Sequence, residues 1–194
     1  MKKYELTAES IVKFGRTLFR IKALVAFGNV EEGELGGFVE KEGNLDQSGN
    51  AWVYGNAWVY GNARVSGNAW VYGNARVSGN AWVSGNARVS GNAWVSGNAW
   101  VSGDARVFKM SHYLTVGPLG SRDGFTTFFR TKHLTIGVKC GCFKGDIDQF
   151  FEAVEKTHGN NKHARAYKAA IALAKLQIDL NEEDSDEEET GKES

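Results

Sequence analysis

The feature that most constrains this fold is a six-residue repeat, which begins at Ala51 and runs ten times without insertion to about Met110. The six positions of each unit are Ala, then Trp or Arg, then Val, then Tyr or Ser, then Gly, then Asn or Asp. Only the last copy departs from this pattern. A short fixed period indicates a solenoid, because one unit buries its apolar side only by stacking on copies of itself. Alanine and valine, two positions apart, share one face of a short strand. The following glycine and asparagine tolerate the positive φ of a tight corner.

Six residues for each strand and corner predict a mainly β fold, a parallel β-helix with three sides and 18 residues per coil. Side chains 18 residues apart then stack about 4.8 Å from one another. The first side is predicted to stack Val53, Val71, Val89 and Val107 inward, with Trp52, Trp70, Arg88 and Arg106 outward. The second side places Arg76 between Trp58 and Trp94, where cation–π attraction is expected, and the third stacks Arg64, Trp82 and Trp100.

The repeat resembles the left-handed parallel β-helix of hexapeptide-repeat proteins, and the left hand is implied by that resemblance alone. Residues 20–45, R-I-K-A-L-V-A-F-G-N-V-E-E-G-E-L-G-G-F-V-E-K-E-G-N-L, resemble the N-terminal cap of a family of such proteins in bacteria and bacteriophages, often labelled transferase or polymer-forming protein. The stretches V-G-P-L-G-S-R-D-G-F-T-T-F-F-R-T and C-G-C-F-K-G-D-I-D-Q-F resemble a small domain that follows such arrays in phage proteins. The resemblance implies a homo-oligomer, usually a trimer, and carries no established activity.

We expect four parts along the chain: a β-hairpin cap (1–44), the β-helix (45–110), a C-terminal α+β module (111–180) and a disordered acidic tail (181–194). The hairpin is predicted within 11–24, and Leu45 to Asn50 is read as a degenerate first unit with Gln47 in the valine position. The module is predicted as three strands and two helices (βββαα). These are His112 to Val116, Phe125 to Arg130, Leu134 to Phe143, a helix that begins at Ile147 after the N-cap Asp146 and stops at Gly159, and a second near Lys162 to Ile178.

The charge is distributed unevenly although 23 basic and 23 acidic residues cancel. Residues 181–194 carry eight acids and one lysine, a charge of −7 that leaves +7 on the rest. Residues 106–180 carry twelve Lys or Arg against six Asp or Glu, which favours an anionic ligand. No run approaches the roughly 20 apolar residues of a membrane span, so we expect a cytoplasmic protein without a membrane partner.

The candidate anion site lies in the module. Glycines of the loop 117–122 let backbone N–H groups approach an anion, and arginine grips phosphate in a bidentate manner. Glycines on a strand leave room for a ligand. We therefore expect one shallow site, with a plain glycine-rich hairpin loop as the alternative. Its candidate residues are Gly120, Ser121, Arg122, Thr127, Arg130, Gly137, Lys139 and Gly141.

Cys140 and Cys142 alternate with Ile136 and Val138, which predicts that both cysteines lie in the core. The alternative is a C-x-C metal site completed by His133 or His158. Because two further ligands are not identified, we predict no metal and no cofactor.

The outward tryptophans form a candidate interface, because exposed aromatic patches usually mark a contact surface. Two alternatives are packing against the cap and, for Trp52, Tyr54, Trp70 and Tyr72, a platform on which sugars or bases stack. The candidate interface residues are Trp52, Trp58, Trp70, Trp82, Trp94 and Trp100.

Three functions remain open. The array from Ala51 to Arg106 has no histidine and only one acid, Asp104, which argues against a hexapeptide acyltransferase-like active site within it. A structural rod that assembles through the tryptophans is the second alternative. The sequence favours a non-enzymatic phage-type binding protein, an oligomeric β-helix that presents a basic module to an anionic, nucleotide-like small molecule, for example to sequester a host immune signal. Nucleic acid is disfavoured but not excluded.

Overall fold

The structure, a computed structural model, describes residues 2–181, so the predicted acidic tail lies almost wholly outside the described residues. Three strands precede the repeats: β1 (Tyr4–Lys13), β2 (Arg16–Ala23) and β3 (Leu35–Val39). Ten two-residue strands follow: β4 (Trp52–Val53), β5 (Trp58–Val59), β6 (Arg64–Val65), β7 (Trp70–Val71), β8 (Arg76–Val77), β9 (Trp82–Val83), β10 (Arg88–Val89), β11 (Trp94–Val95), β12 (Trp100–Val101) and β13 (Arg106–Val107). The module contains β14 (Tyr113–Leu119), β15 (Gly124–Arg130), β16 (Ile136–Cys140), β17 (Phe143–Asp146), α1 (Ile147–His158) and α2 (Lys162–Gln177).

Strands β4–β13 stack in parallel as three sheets, which confirms the three-sided coil with 18 residues per turn. Trp52 pairs with Trp70 and Trp70 with Arg88, while Trp58 pairs with Arg76, as the period predicts. The inward alanines and valines are at most 1% exposed, so the apolar core is a continuous column. Each fully buried valine contributes about 1.5–3 kcal/mol, which makes this column the main stabilising element of the coils.

Two of the three corners carry ladders of asparagine side chains. The Asn62 amide donates to Asn80 Oδ1 (3.4 Å), and the Asn80 amide donates to Asn98 Oδ1 (3.1 Å). On the next corner, Asn68 donates to Asn86 (3.2 Å) and Asn86 to Asp104 (3.3 Å). These bonds tie each coil to the next outside the core.

The N-terminal cap closes the first coil with backbone strands. The predicted hairpin is present, although β1 begins earlier than expected, and β3 pairs in parallel with β5 so that the cap extends one side of the solenoid. Trp52 lies beneath this cap with no exposed surface, 5.4 Å from the Phe27 ring and 6.1 Å from the Tyr4 ring. A Cβ atom on Gly36 would lie 2.5 Å from the Val53 carbonyl oxygen, so this close approach of β3 requires glycine.

The prediction that Gln47 occupies a valine position is wrong. Leu45 pairs with Val65 and is buried in the core column. The Gln47 Oε1 atom instead accepts the backbone N–H of Lys3 at 2.8 Å. The first unit is longer than the others. The Asp46 N–H bonds the Val65 carbonyl, which places Asp46 beside the residue 20 positions later, whereas the Asn50 N–H bonds the Gly67 carbonyl and so returns to the regular spacing of 18.

The C-terminal module is a four-stranded antiparallel sheet, β14-β15-β16-β17, with α1 and α2 packed on it. The sequence predicts one strand across 134–143, but the chain reverses at Gly141, where φ is +54°, and Cys140 pairs with Phe143. The module therefore has one more strand than expected. Both helices begin as predicted, α1 after the N-cap Asp146 and α2 after the N-cap Asn161.

None of the helices within residues 2–181 is long and apolar enough to span a membrane.

Candidate functional site

Both faces of β15, a central strand of the module sheet, are buried. Along β15, residues 126–130 are at most 3% exposed, although neighbouring residues of a strand point to opposite faces. Phe128 packs with Ile136 and Val138 in the core beneath the helices, whereas Phe129 belongs to the core of the coils. One face of this sheet therefore packs against the helices, and the other packs against the last coil of the solenoid.

The coil-facing side of the sheet supplies hydroxyl groups to the last coil. The Tyr113 hydroxyl donates to the Trp94 carbonyl (2.8 Å) and accepts the Ser96 N–H (3.3 Å). The Thr127 hydroxyl oxygen accepts the Trp100 N–H (2.9 Å). In earlier coils the corresponding backbone groups bond the next strand, so these hydroxyls satisfy groups that a sheet edge would leave unpaired.

Three of the eight candidate ligand residues lie on this coil-facing side. Besides Thr127, these are Gly137 and Lys139. The Lys139 ammonium lies 4.0 Å from the centre of the Trp100 ring and also donates to the Gly141 carbonyl. A Cβ on Gly137 would lie 2.4 Å from the Phe129 ring, so the space that this glycine leaves is filled by that ring. The single shallow site expected from the sequence is not formed. Thr127, Gly137 and Lys139 lie on the face of the sheet that the coil covers, so they do not join the loop residues in one site.

Arg130 lies at the junction between the coils and the module. It is 3% exposed, and its guanidinium carbon lies 5.0 Å from the centre of the Phe108 ring. The fully buried His112 contacts the same ring edge-on at 4.1 Å. Arg130 therefore shares the Phe108 ring with His112 of the short 3₁₀ turn Met110–His112. It does not line a cavity with Arg122.

Of the remaining loop candidates, Ser121, Arg122 and Gly141 line a cavity of about 480 Å³ at the far end of the sheet, whereas Gly120 lies against the Tyr167 hydroxyl and is not part of the lining. Ser121 and Arg122 are exposed on the β14–β15 turn, and Gly141 lies on the β16–β17 turn opposite. His158, at the end of α1, also borders the cavity. The other lining residues are largely apolar or aromatic, including Leu119, Cys140, Phe143, Phe150, Val154 and Tyr167. We call this cavity the module cleft; among residues 2–181, no carboxylate belongs to its lining.

Tyr167 is the main residue of the module cleft that sequence reasoning missed. Its ring contacts Phe150 edge-on at 5.6 Å and stacks with His158 at 5.7 Å. A Cβ on Gly120 would lie 2.2 Å from the tyrosine hydroxyl, so glycine is required where this loop meets α2. Burial, together with the neighbouring Cys140 thiol, raises the pKa of Tyr167 to about 12, which keeps the hydroxyl protonated at neutral pH.

The two cysteines differ in their surroundings. Cys140 is half-buried, and its sulfur lies 3.1 Å from the Thr126 hydroxyl. Cys142 is exposed, so the prediction of a core position is wrong for this residue, because the turn at Gly141 reverses the chain. Among residues 2–181, no group of three or more His, Cys, Asp and Glu side chains is arranged to hold a metal ion.

Most of the candidate interface tryptophans contact their own chain. Trp52 cannot meet another chain because the cap covers it completely. Trp58 lies 4.6 Å from the guanidinium carbon of Arg76, as the alternation predicts, and Trp100 stacks on Trp82 with ring centres 4.8 Å apart. Trp82 and Trp94 keep 39% of their surface exposed, which makes them the most accessible tryptophans of the described chain.

Comparison with known families supports the repeat. A family model described as the YdcK beta solenoid repeat matches four overlapping stretches, residues 57–73, 69–85, 83–97 and 87–103. The matches lie within the coils and cover less than half of the chain, so they show similarity to this repeat and do not extend to the module. No curated protein matches the sequence.

Proposed function

We propose that this protein is a β-solenoid whose C-terminal module binds a small anionic ligand with a flat apolar part, such as a nucleotide, without converting it. The observation that carries the proposal is the lining of the module cleft. An apolar and aromatic floor lies beside Arg122, Ser121 and His158, and the described residues of the lining include no carboxylate to repel an anion. Its volume, about 480 Å³, falls in the usual range for small-molecule sites.

The two parts of such a ligand match two parts of the module cleft. The guanidinium of Arg122 and the Ser121 hydroxyl suit phosphate oxygens, because charge-assisted hydrogen bonds to arginine are strong and directional. A planar base suits the rings of Phe143 and Tyr167, since aromatic stacking accepts any base. Binding without turnover is favoured because none of the described lining residues is a carboxylate that could act as a general base.

The proposal also includes a homo-oligomer, a trimer by resemblance, in the cytoplasm of a phage-infected bacterium. Trp82 and Trp94 are the tryptophans available for such an interface. In this setting the ligand would be a host nucleotide signal held by several copies of the module.

An acyltransferase-like site within the coils has less support. Asp104, the only acid of the array, accepts a hydrogen bond from Asn86 and pairs with Lys132 at 3.3 Å. The Asn86 amide and the Lys132 charge hold its pKa below the ordinary range, against the opposing effect of burial. Asp104 is thus suited to ending the asparagine ladder and poorly suited to accepting a proton.

Isothermal titration calorimetry with AMP, GMP, UMP, cyclic dinucleotides and ADP-ribose tests this function. We expect heat with at least one nucleotide, binding at least tenfold weaker in Arg122→Gln, and unchanged binding in the control Arg165→Gln. Arg165 is an exposed cation on α2 outside the module cleft. Chromatography of the ligand afterwards should recover it intact. The proposal is overturned if no nucleotide binds, if both variants weaken binding equally, or if a hydrolysed product appears.

A further inference from the structure

A second cavity, of about 670 Å³, lies along the first-side corner of the coils, near the N-terminal cap. We call it the corner groove. Three aromatic residues line it, namely Tyr54, Trp70 and Tyr72, and the cap adds Asn29 and Glu34. Its remaining lining consists of Asn74, Asn92 and the corner glycines Gly55, Gly73 and Gly91. The corner groove contains none of the residues of the module cleft.

Two aromatic residues of the corner groove, Tyr54 and Trp70, are held in place before any ligand binds. The Trp70 ring contacts Tyr54 edge-on at 5.6 Å, and the guanidinium carbon of Arg88 lies 4.8 Å from its centre. Burial, reinforced by the charge of Glu34, raises the pKa of Tyr54 to about 12, so its hydroxyl is neutral and able to donate. Rigid rings lose little conformational entropy on binding, which favours a stacking ligand.

The asparagines of the corner groove differ from those of the other two corners. Asn80 and Asn86 each belong to a ladder in which one amide bonds the next. Within residues 2–181, the side chains of Asn74 and Asn92 form no such bond with each other or with another side chain, although they occupy the same repeat position. Each amide therefore offers both a donor and an acceptor to a ligand.

We propose that the corner groove binds a neutral oligosaccharide. Aromatic rings pack against the C–H faces of a sugar ring, while amides and a carboxylate match its hydroxyl groups. Among the described residues, Glu34 is the only charged residue of the lining, and the nearby Arg88 guanidinium lies against the Trp70 ring, so the groove carries no excess of positive charge for a sulfated or phosphorylated sugar. The repeat presents successive rings and amides about 4.8 Å apart along the corner, which suits an extended chain better than a monosaccharide.

The test is calorimetric titration of the full-length protein with cellohexaose, maltohexaose and N-acetylchitohexaose, and with a heparin hexasaccharide as the anionic comparison. Tyr72→Ser and Asn74→Ala alter the corner groove, and serine is the residue that the repeat itself uses at the position of Tyr72 in other units. Asn80→Ala is the matched control, one unit later on a different corner.

We expect one neutral hexasaccharide to bind, with affinity at least tenfold weaker in Tyr72→Ser, several-fold weaker in Asn74→Ala and unchanged in Asn80→Ala. The assignment fails if none of the neutral sugars binds, if Tyr72→Ser binds as tightly as the wild type, or if the heparin fragment binds more tightly than every neutral sugar. Nucleotide binding at the module cleft is independent of all these results.

Discussion

The two ends of the solenoid are closed in different ways. At the N-terminal end, β3 adds a backbone strand to one side of the coil, and Trp52 is enclosed between cap and coil. At the C-terminal end, hydroxyl groups of Tyr113 and Thr127 replace the missing strand. The sheet that supplies them has a second core of its own under α1 and α2. The cap is thus an extension of the coil, whereas the module is docked on it, which leaves the module loops available for a ligand.

The largest expected effect concerns the N-terminal end. Trp52→Ala removes a fully buried ring from between cap and coil, and such truncations cost about 3–5 kcal/mol of unfolding free energy. Trp94→Ala, at the same repeat position but 39% exposed, is the matched control and should cost less, about 1–2 kcal/mol. Urea denaturation followed by tryptophan fluorescence measures both. Equal losses would show that the cap does not enclose Trp52.

The next effect concerns the C-terminal end. Thr127→Val keeps the shape of a side chain that is 1% exposed but removes the acceptor of the Trp100 N–H. A buried donor without a partner costs about 1–3 kcal/mol. Thr157→Val, at an exposed position of α1, is the control and should change stability little. Thermal denaturation compares the two, and a Thr127→Val protein as stable as the wild type would contradict closure through hydroxyl groups.

A smaller loss is expected for Tyr113→Phe. Its hydroxyl both donates to the Trp94 carbonyl and accepts the Ser96 N–H, but the residue is only half-buried, so water can replace part of the interaction. We expect a loss of about 0.5–1.5 kcal/mol in the same denaturation experiment. If Tyr113→Phe costs more than Thr127→Val, then the ranking of these two hydroxyls by burial is wrong.

The last expected effect is a pH dependence at the N-terminal end. Lys3 lies in the cap, and its ammonium donates to the Ala51 carbonyl (2.9 Å). Burial lowers its pKa to about 8 from 10.5, although the charge of Asp46 opposes the shift. Between these values the unfolded chain binds more protons than the folded chain, so the free energy of unfolding rises with pH.

Denaturation at intervals from pH 8 to pH 10 measures this contribution, and Lys3→Met should flatten the rise. The measurement ends near pH 10 because burial also raises the pKa of Tyr4. Above that pH, the contribution of Tyr4 to the free energy of unfolding falls as the pH rises. A wild-type slope that persists in Lys3→Met would assign the effect to another group.

The coils could be predicted from the sequence in detail. The 18-residue register of Trp58 with Arg76, and of Val59 with Val77, follows from the period alone, because each coil pairs only with its neighbours. The exception is the first unit, where the position of Leu45 depends on the contact of Gln47 with the cap. Such a contact between distant segments leaves no periodic signal.

The module was less predictable, because strand alternation shows which residues share a face but not what that face covers. The position of Arg122 and Ser121 on an exposed turn could be predicted from their loop. The contacts of Thr127 and Lys139 with the last coil could not be predicted. The adjacent pair Phe128-Phe129 is nevertheless a signal that both faces of β15 are buried. Nothing in the helical period of α2 indicates that Tyr167 meets Gly120.

The central claim is that the module sheet closes the last coil on one side while the module cleft, on the opposite turns, serves a ligand. Hydrogen–deuterium exchange of the amides in residues 94–101 tests it most directly in the wild type, Thr127→Val and Arg122→Gln. We expect exchange about tenfold faster in Thr127→Val, because the Trp100 N–H loses its acceptor, and wild-type exchange in Arg122→Gln. Unchanged exchange in Thr127→Val, or equal acceleration in both variants, would contradict it.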